Sequence, residues 1–184
     1  MARPKFKNVA FEQIQYVVDH NDKKRYELTQ GSAGEWLIRA NQGHSLKTII
    51  PDSMLEKLTG AIDTPIIHGT SLKAWNQIKQ QGLSKMNRNH IHFAIGLPND
   101  PNIKSGIRET SEVFIYVNAE KARQGLHYIQ RDGYLLANQK SKNVDGIVFY
   151  RSKNNVILSD GIKGIIAPTY FEQVTDKGMN RLDL

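Results

Sequence analysis

The apolar residues of this chain arrive in short bursts, and that brevity limits what the chain can fold into more than any other feature. Residues 25–28, 35–40, 65–70, 91–94, 112–117, 146–150, 156–158 and 164–166 each read as a strand of a few residues, bounded by glycine, proline or other turn-prone residues. Only three stretches carry helical spacing. In residues 9–19, Val9, Phe11, Ile14, Val17 and Val18 recur near a period of 3.6, and His20-Asn21-Asp22 stops them. In residues 71–80, Ser71 serves as N-cap, Gly82 as the stop, and Ile78 and Leu83 point inward. Residues 119–124 form the third. The strands at 25–28 and 35–40 flank the turn Gln30-Gly31-Ser32-Ala33-Gly34, so the first helix is followed by a two-stranded wing. Residues 48–65 read as a linker with a short helical turn. Many short strands with few helices predict an α+β fold whose sheets are mostly antiparallel.

With 184 residues and 39% hydrophobic content, one domain or a compact domain with a small second lobe is expected. No apolar run approaches the roughly 18 residues that cross a membrane. Cysteine is absent, which excludes disulfides, thiolate metal sites and cysteine nucleophiles, and fits a reducing, intracellular setting. Lys and Arg number 25 against 18 acids, a formal charge of +7. That balance favours polyanionic partners, because each neutralised phosphate releases counterions.

Five segments could carry chemistry. In Leu37-Ile38-Arg39-Ala40-Asn41-Gln42-Gly43-His44-Ser45, Arg39 can grip a phosphate through two parallel N–H bonds. Gly43 lets the backbone approach, and His44 and Ser45 can donate to non-bridging oxygens. A polar loop with a turn glycine has the same pattern. In Ile67-His68-Gly69-Thr70, a histidine at a strand end can bond a ribose hydroxyl while the glycine admits a flat ring; a structural histidine fits equally well. In Met86-Asn87-Arg88-Asn89-His90-Ile91-His92-Phe93, alternation along a strand puts His90 and His92 on one face. Two histidines at i and i+2 raise the question of zinc, but no third ligand and no HExxH pattern accompany them. Beside Arg88, a pyrophosphate or ribose suits that face better. Lys104-Ser105-Gly106-Ile107-Arg108 is a second glycine-arginine loop, and Arg151 to Leu158 reads as a basic turn between strands. No acidic dyad, nucleophile elbow or Walker loop is present. Arginines and histidines dominate, which suits holding phosphate charge in a transition state.

At Ile38 to Ser45, Ile67 to Thr70, Arg88 to His92, Ser105 to Arg108 and Ser152 to Leu158, the chain resembles the tRNA (RNA) 2'-phosphotransferase family, with five phrases in the family's order. The Gly96-Leu97-Pro98-Asn99-Asp100-Pro101 loop and the Pro168-Thr169-Tyr170-Phe171 segment bring it nearest to eukaryotic members. The resemblance spans roughly residues 8–174. It implies a winged-helix-like RNA-binding lobe, partial here, over residues 1–50, and an ADP-ribosyltransferase-like NAD-binding lobe over 51–184. It implies transfer of a splice-junction 2'-phosphate from tRNA to NAD, releasing nicotinamide and ADP-ribose 1'',2''-cyclic phosphate, with NAD as co-substrate and no metal. Arg39, Arg108 and His44 match catalytic positions. His68, Gly69, Thr70, Ser71 and His92 match the NAD site, and Gln42, Gly43, Ser45, Arg88 and His90 match the RNA or phosphate site. The position that is glutamate in protein-modifying relatives falls near Val156.

Two features depart from the family pattern. A Leu-Arg-His run expected on an early helix is missing, and residues 123–144 look like an insertion. Without the first, Phe11, Ile14 and Val18 lack their usual cover, so residues 1–30 are expected to be mobile or covered by another chain. The alternatives are an ADP-ribosyltransferase acting on nucleic-acid terminal phosphates, or a truncated, non-catalytic RNA- or NAD-binding paralogue. The expected assembly is a monomer inside the cell, off the membrane.

Overall fold

The computed structural model describes residues 8–43, 55–103, 105–125, 128–131, 134–137 and 146–184. The chain divides into two compact units, residues 1–43 and 44–184. The expected boundary at 50/51 lies outside the described residues.

The first unit is one helix and one hairpin. Helix α1 (Phe11–Asp19) begins two residues later than its apolar spacing suggests. Ala10 offers no side-chain cap, and its amide donates instead to Gln13 Oε1 at 2.9 Å. Phe11, Ile14 and Val18 line up at i, i+3 and i+7 and are only half-buried; no residue of α1 is fully buried. Strands β1 (Tyr26–Gln30) and β2 (Trp36–Ala40) pair antiparallel, with Glu27 opposite Arg39 and Gln30 opposite Trp36. The Trp36 ring lies 4.9 Å from that of Phe11, so this face of the hairpin meets α1. Alternation sends Arg39 and Glu27 to the other face. Asn41 pins the base of the hairpin, its amide nitrogen donating to Lys24 O at 2.7 Å and its backbone N–H to Arg25 O at 2.8 Å.

The second unit holds the hydrophobic core. Its strands are β3 (Glu56–Lys57), β4 (Ile67–Thr70), β5 (Leu83–Ser84), β6 (Ile91–Phe93), β7 (Val113–Val117), β8 (Tyr128–Arg131), β9 (Tyr134–Ala137), β10 (Phe149–Arg151), β11 (Ile157–Ser159), β12 (Ile165–Ile166) and β13 (Phe171–Asp176). They form sheets in the orders β3-β10-β11-β6, β13-β7-β4, β12-β5 and β8-β9, every pairing antiparallel. The two larger sheets meet where Ile67 bridges Ala94, so the ends of β4 and β6 lie side by side. Between them pack Phe93, Phe149, Ile115, Ile157 and Tyr170, each at most 1% exposed. Helix α2 (Leu72–Gln81) buries Trp75 against Phe171, with ring centres 6.3 Å apart, and α3 (Ala119–Arg123) buries Ala122. The result is a mixed fold with few helices and mostly antiparallel sheets, as the strand pattern requires. Strands β3, β5 and β13 were not foreseen, and the segment read as an insertion contains the β8–β9 hairpin.

Candidate active site

Ser71 sits at the junction of β4 and α2. Its hydroxyl accepts from the Ala74 N–H at 3.2 Å, and Glu112 Oε2 accepts from the Leu72 N–H at 3.0 Å, so two of the free amides of the first turn are satisfied. At the other end Gly82, with φ +86°, turns the chain where a Cβ would fall 2.4 Å from Ile166 O. The chain then runs through β5 into a turn in which the Arg88 N–H donates to Lys85 O at 3.0 Å, and into β6. Helix, turn and the ends of β4 and β6 enclose a cavity of about 460 Å3. His68 and Thr70 of β4, His90, Ile91 and His92 around β6, and Arg88 of the turn all line it, together with Gln77, Gln81, Lys85 and Asn87.

The imidazoles are held in one protonation state. His68 Nδ1 lies 2.9 Å from His92 O. A carbonyl can only accept, so Nδ1 carries the hydrogen and Nε2 keeps a lone pair. Burial, helped by the charges of Arg88 and Arg108, lowers the His68 pKa below its usual value, although the bond to His92 O opposes this. Burial, then the Arg88 charge, lowers His92 to about 4. Its buried Nε2 finds no partner among the described residues. Both rings are therefore neutral at pH 7, and His92 leaves a polar atom for something else to satisfy. His90 is 8% exposed, with Nε2 3.9 Å from Asp160 Oδ1 and its ring 6.0 Å from that of Tyr150.

The loop carrying Arg108 is pressed onto these strands through two glycines. A Cβ on Gly69 would lie 2.5 Å from both Ile107 Cγ1 and Ser111 Oγ, and one on Gly106 would lie 2.7 Å from Phe93 O. Gly106 also has φ +91°. Gly69 thus admits Ile107, where the sequence reading had a flat ring entering. Neither Gly69 nor Ser71 lines the cavity.

Arg39 belongs to the other unit, half-buried on the wing, where its Nε and Nη2 both donate to Glu27 Oε2, at 2.8 and 2.5 Å. Gln42 is half-buried and Gly43, with φ +76°, is exposed at the end of that wing; His44 and Ser45 lie outside the described residues. Val156 is fully buried, and the Ser152 hydroxyl accepts from its N–H at 3.1 Å, which makes the Ser152 segment a tight turn between β10 and β11. Among the described residues no group of three or more His, Cys, Asp or Glu is arranged to hold a metal ion, and no helix is long and apolar enough to cross a membrane.

Sequence reasoning missed Gln77, Gln81 and Lys85, which belong to no motif and reach the cavity from α2 and from the turn after β5. It also missed Glu27, which had a signal. Pairing the two strands outward from the Gly31–Gly34 turn sets Glu27 opposite Arg39.

Comparison with known proteins bears on this geometry. A sequence model described as RNA 2'-phosphotransferase, Tpt1 / KptA family, matches residues 1–161. The tRNA 2'-phosphotransferase 1 of Bos taurus is 39% identical over 175 residues, covering 92% of this chain and 60% of that protein. The tRNA 2'-phosphotransferase of Saccharomyces cerevisiae is 35% identical over 156 residues, covering 82% and 59%. A Schizosaccharomyces pombe relative, 38% identical, is matched along 98% of this chain and 44% of its own length. The chain thus spans 44–60% of the length of these three relatives. The family match over most of its length means that the chain belongs to the RNA 2'-phosphotransferase, Tpt1 / KptA family.

Proposed function

We propose that the chain is an NAD-dependent tRNA 2'-phosphotransferase, with the cavity between α2, β4 and β6 as its NAD site. In this reading the second unit is an ADP-ribosyltransferase-like lobe and the first a winged-helix-like lobe that receives 2'-phosphorylated tRNA. The protein acts as a monomer inside the cell. The observation that carries it is the meeting of two neutral imidazoles, His68 and His92, with Arg88 around one cavity.

Neutral rings suit this substrate. The nicotinamide of NAD is cationic, and positive charge develops on the ribose carbon as it leaves, so imidazolium groups there would oppose the reaction. As neutral groups, His68 Nε2 accepts from a ribose hydroxyl and His92 Nε2 meets a second polar group. Arg88, with Lys85 nearby, faces the pyrophosphate, and Thr70 lies on the ribose side. In the first step an oxygen of the RNA 2'-phosphate attacks the ribose carbon as its bond to nicotinamide breaks. In the second, the adjacent ribose 2''-hydroxyl attacks phosphorus. The bond from phosphorus to RNA breaks, and the RNA 2'-oxygen takes up the proton. The family resemblance assigns phosphate handling to Arg39, His44, Gln42, Gly43 and Ser45 and, separately, to Arg108 and His90 of the second unit.

The test is nicotinamide release from NAD, measured with an RNA oligonucleotide carrying an internal 2'-phosphate and with the same RNA lacking it. Release confined to the phosphorylated RNA, with ADP-ribose cyclic phosphate as product, is expected. Folded protein that releases none, or releases it equally with both RNAs, overturns the reading.

A further inference from the structure

The Glu27–Arg39 pair lies on the hairpin face turned away from α1, where it takes no part in the Phe11–Trp36 packing. Its side chains are 29% and 37% exposed, and ion pairs that open to water add little to stability. Yet the contact is closely specified: one carboxylate oxygen takes both the Nε and Nη2 hydrogens. That occupies one edge of the guanidinium and fixes its plane. Among the described residues nothing bonds Nη1, so Nη1 and the second Nη2 hydrogen remain as the fork for a ligand. A guanidinium on a flexible stem loses side-chain entropy when it is ordered onto an oxyanion; one already held along its other edge loses less.

We propose that Glu27 is a positioning residue that orients Arg39, so that its outer fork meets the RNA 2'-phosphate at the angle that transfer needs. This rests on the assignment of Arg39 to that phosphate. Glu27 does not touch the substrate. Its carboxylate repels the phosphate slightly, so its contribution is to geometry at some expense in binding.

Three variants separate geometry from charge. Glu27→Gln loses the charge but keeps an oxygen that can accept from Nε and Nη2. Glu27→Asp keeps the charge but withdraws it by one methylene, and Glu27→Ala loses both. Steady-state kcat and KM for 2'-phosphorylated RNA and for NAD are measured beside the thermal midpoint. The expected result is a kcat lowered about tenfold or more in the Ala and Asp variants, as misplacement of a reacting group produces. In the Ala variant the RNA KM is unchanged or lower, KM for NAD is unchanged, and Glu27→Gln retains most activity. An active Asp variant with an inactive Gln variant, a kcat unchanged in Glu27→Ala, or kcat losses that follow losses of thermal midpoint would each overturn the proposal. Arg39→Ala serves as the control. If it is as active as the unaltered protein, the assignment of Arg39 itself fails, a result distinct from any failure confined to Glu27.

Discussion

His92 shows how one side chain ties the cavity to the pH response of the whole chain. Its pKa is lowered from the usual 6.5 to about 4, first by burial and then by the Arg88 charge. Between those two pH values the unfolded chain binds a proton at this position and the folded chain does not. Stability therefore rises with pH through the window: it is fully present above pH 6.5 and is lost as pH falls toward 4. The shift corresponds to a loss of up to about 3 kcal/mol. His68, lowered by burial in the same direction, steepens the slope. Urea unfolding of the unaltered protein and of His92→Gln at several pH values between 7 and 4 checks this. The unaltered protein is expected to lose more stability on acidification than the variant, and parallel curves would contradict the assignment. If the cavity takes NAD as proposed, the same burial keeps this ring from adding charge beside a cationic nicotinamide.

Among elements, α2 makes the clearest separation between holding the site and being part of it. The Ser71 hydroxyl caps the helix, and the cavity is lined by Ala74, Gln77, Ile78 and Gln81 further along. Ser71→Ala should thus cost about 1 kcal/mol, the usual loss of an N-cap, read as a lower thermal midpoint, with KM for NAD within about twofold of its starting value. A raised KM without loss of stability would return Ser71 to the ligand. This helix was legible because cap, apolar spacing and stop agree with one another. So were β7 and the β1–β2 hairpin, whose patterns are regular. Strand β13 was not: Glu172, Gln173 and Asp176 interrupt it, and a register shift between Phe171 and Gln173 breaks its alternation. Strands β3 and β5, two residues each, are too short to show any period. Strands β8 and β9 did carry a signal, the Asp132-Gly133 pair between them in the sequence, which favours a two-residue hairpin turn. The site follows the same division. His68, Arg88, His90 and His92 stand out in the sequence because strand alternation and glycine neighbours mark them. Lys85, Gln77 and Gln81 are brought in by packing alone. Gly69, read from the sequence as admitting a flat ring, leaves a space that is filled by Ile107 and Ser111.

At the scale of the whole molecule, stability is unequally divided between the two units. The buried hydrophobic residues run from Ile66 to Val174, all in the second unit, and Asn41 is the one residue of the first among the described buried side chains. On the wing Tyr26 is 44% exposed, Trp36 49% and Ile38 55%. A two-stranded hairpin is marginal in water without a third strand or a well-packed helix, and α1 brings no buried residue to it. Each of these apolar side chains forgoes about half of the roughly 1.5–3 kcal/mol that full burial would contribute. The central strand β7 is in the opposite position, flanked by β4 and β13, with Val113, Phe114, Ile115 and Val117 all buried. Local opening of the wing should therefore need far less free energy than opening of β7. Hydrogen exchange followed by mass spectrometry is expected to show amides of residues 26–40 exchanging at least about a hundredfold faster than those of 113–117, a difference of about 3 kcal/mol in opening free energy. Equal protection would mean that the two units unfold as one. If Arg39 receives the RNA phosphate, a 2'-phosphorylated RNA should slow exchange across residues 26–40 while NAD alone should not, because only the RNA supplies the wing with contacts its own sequence lacks.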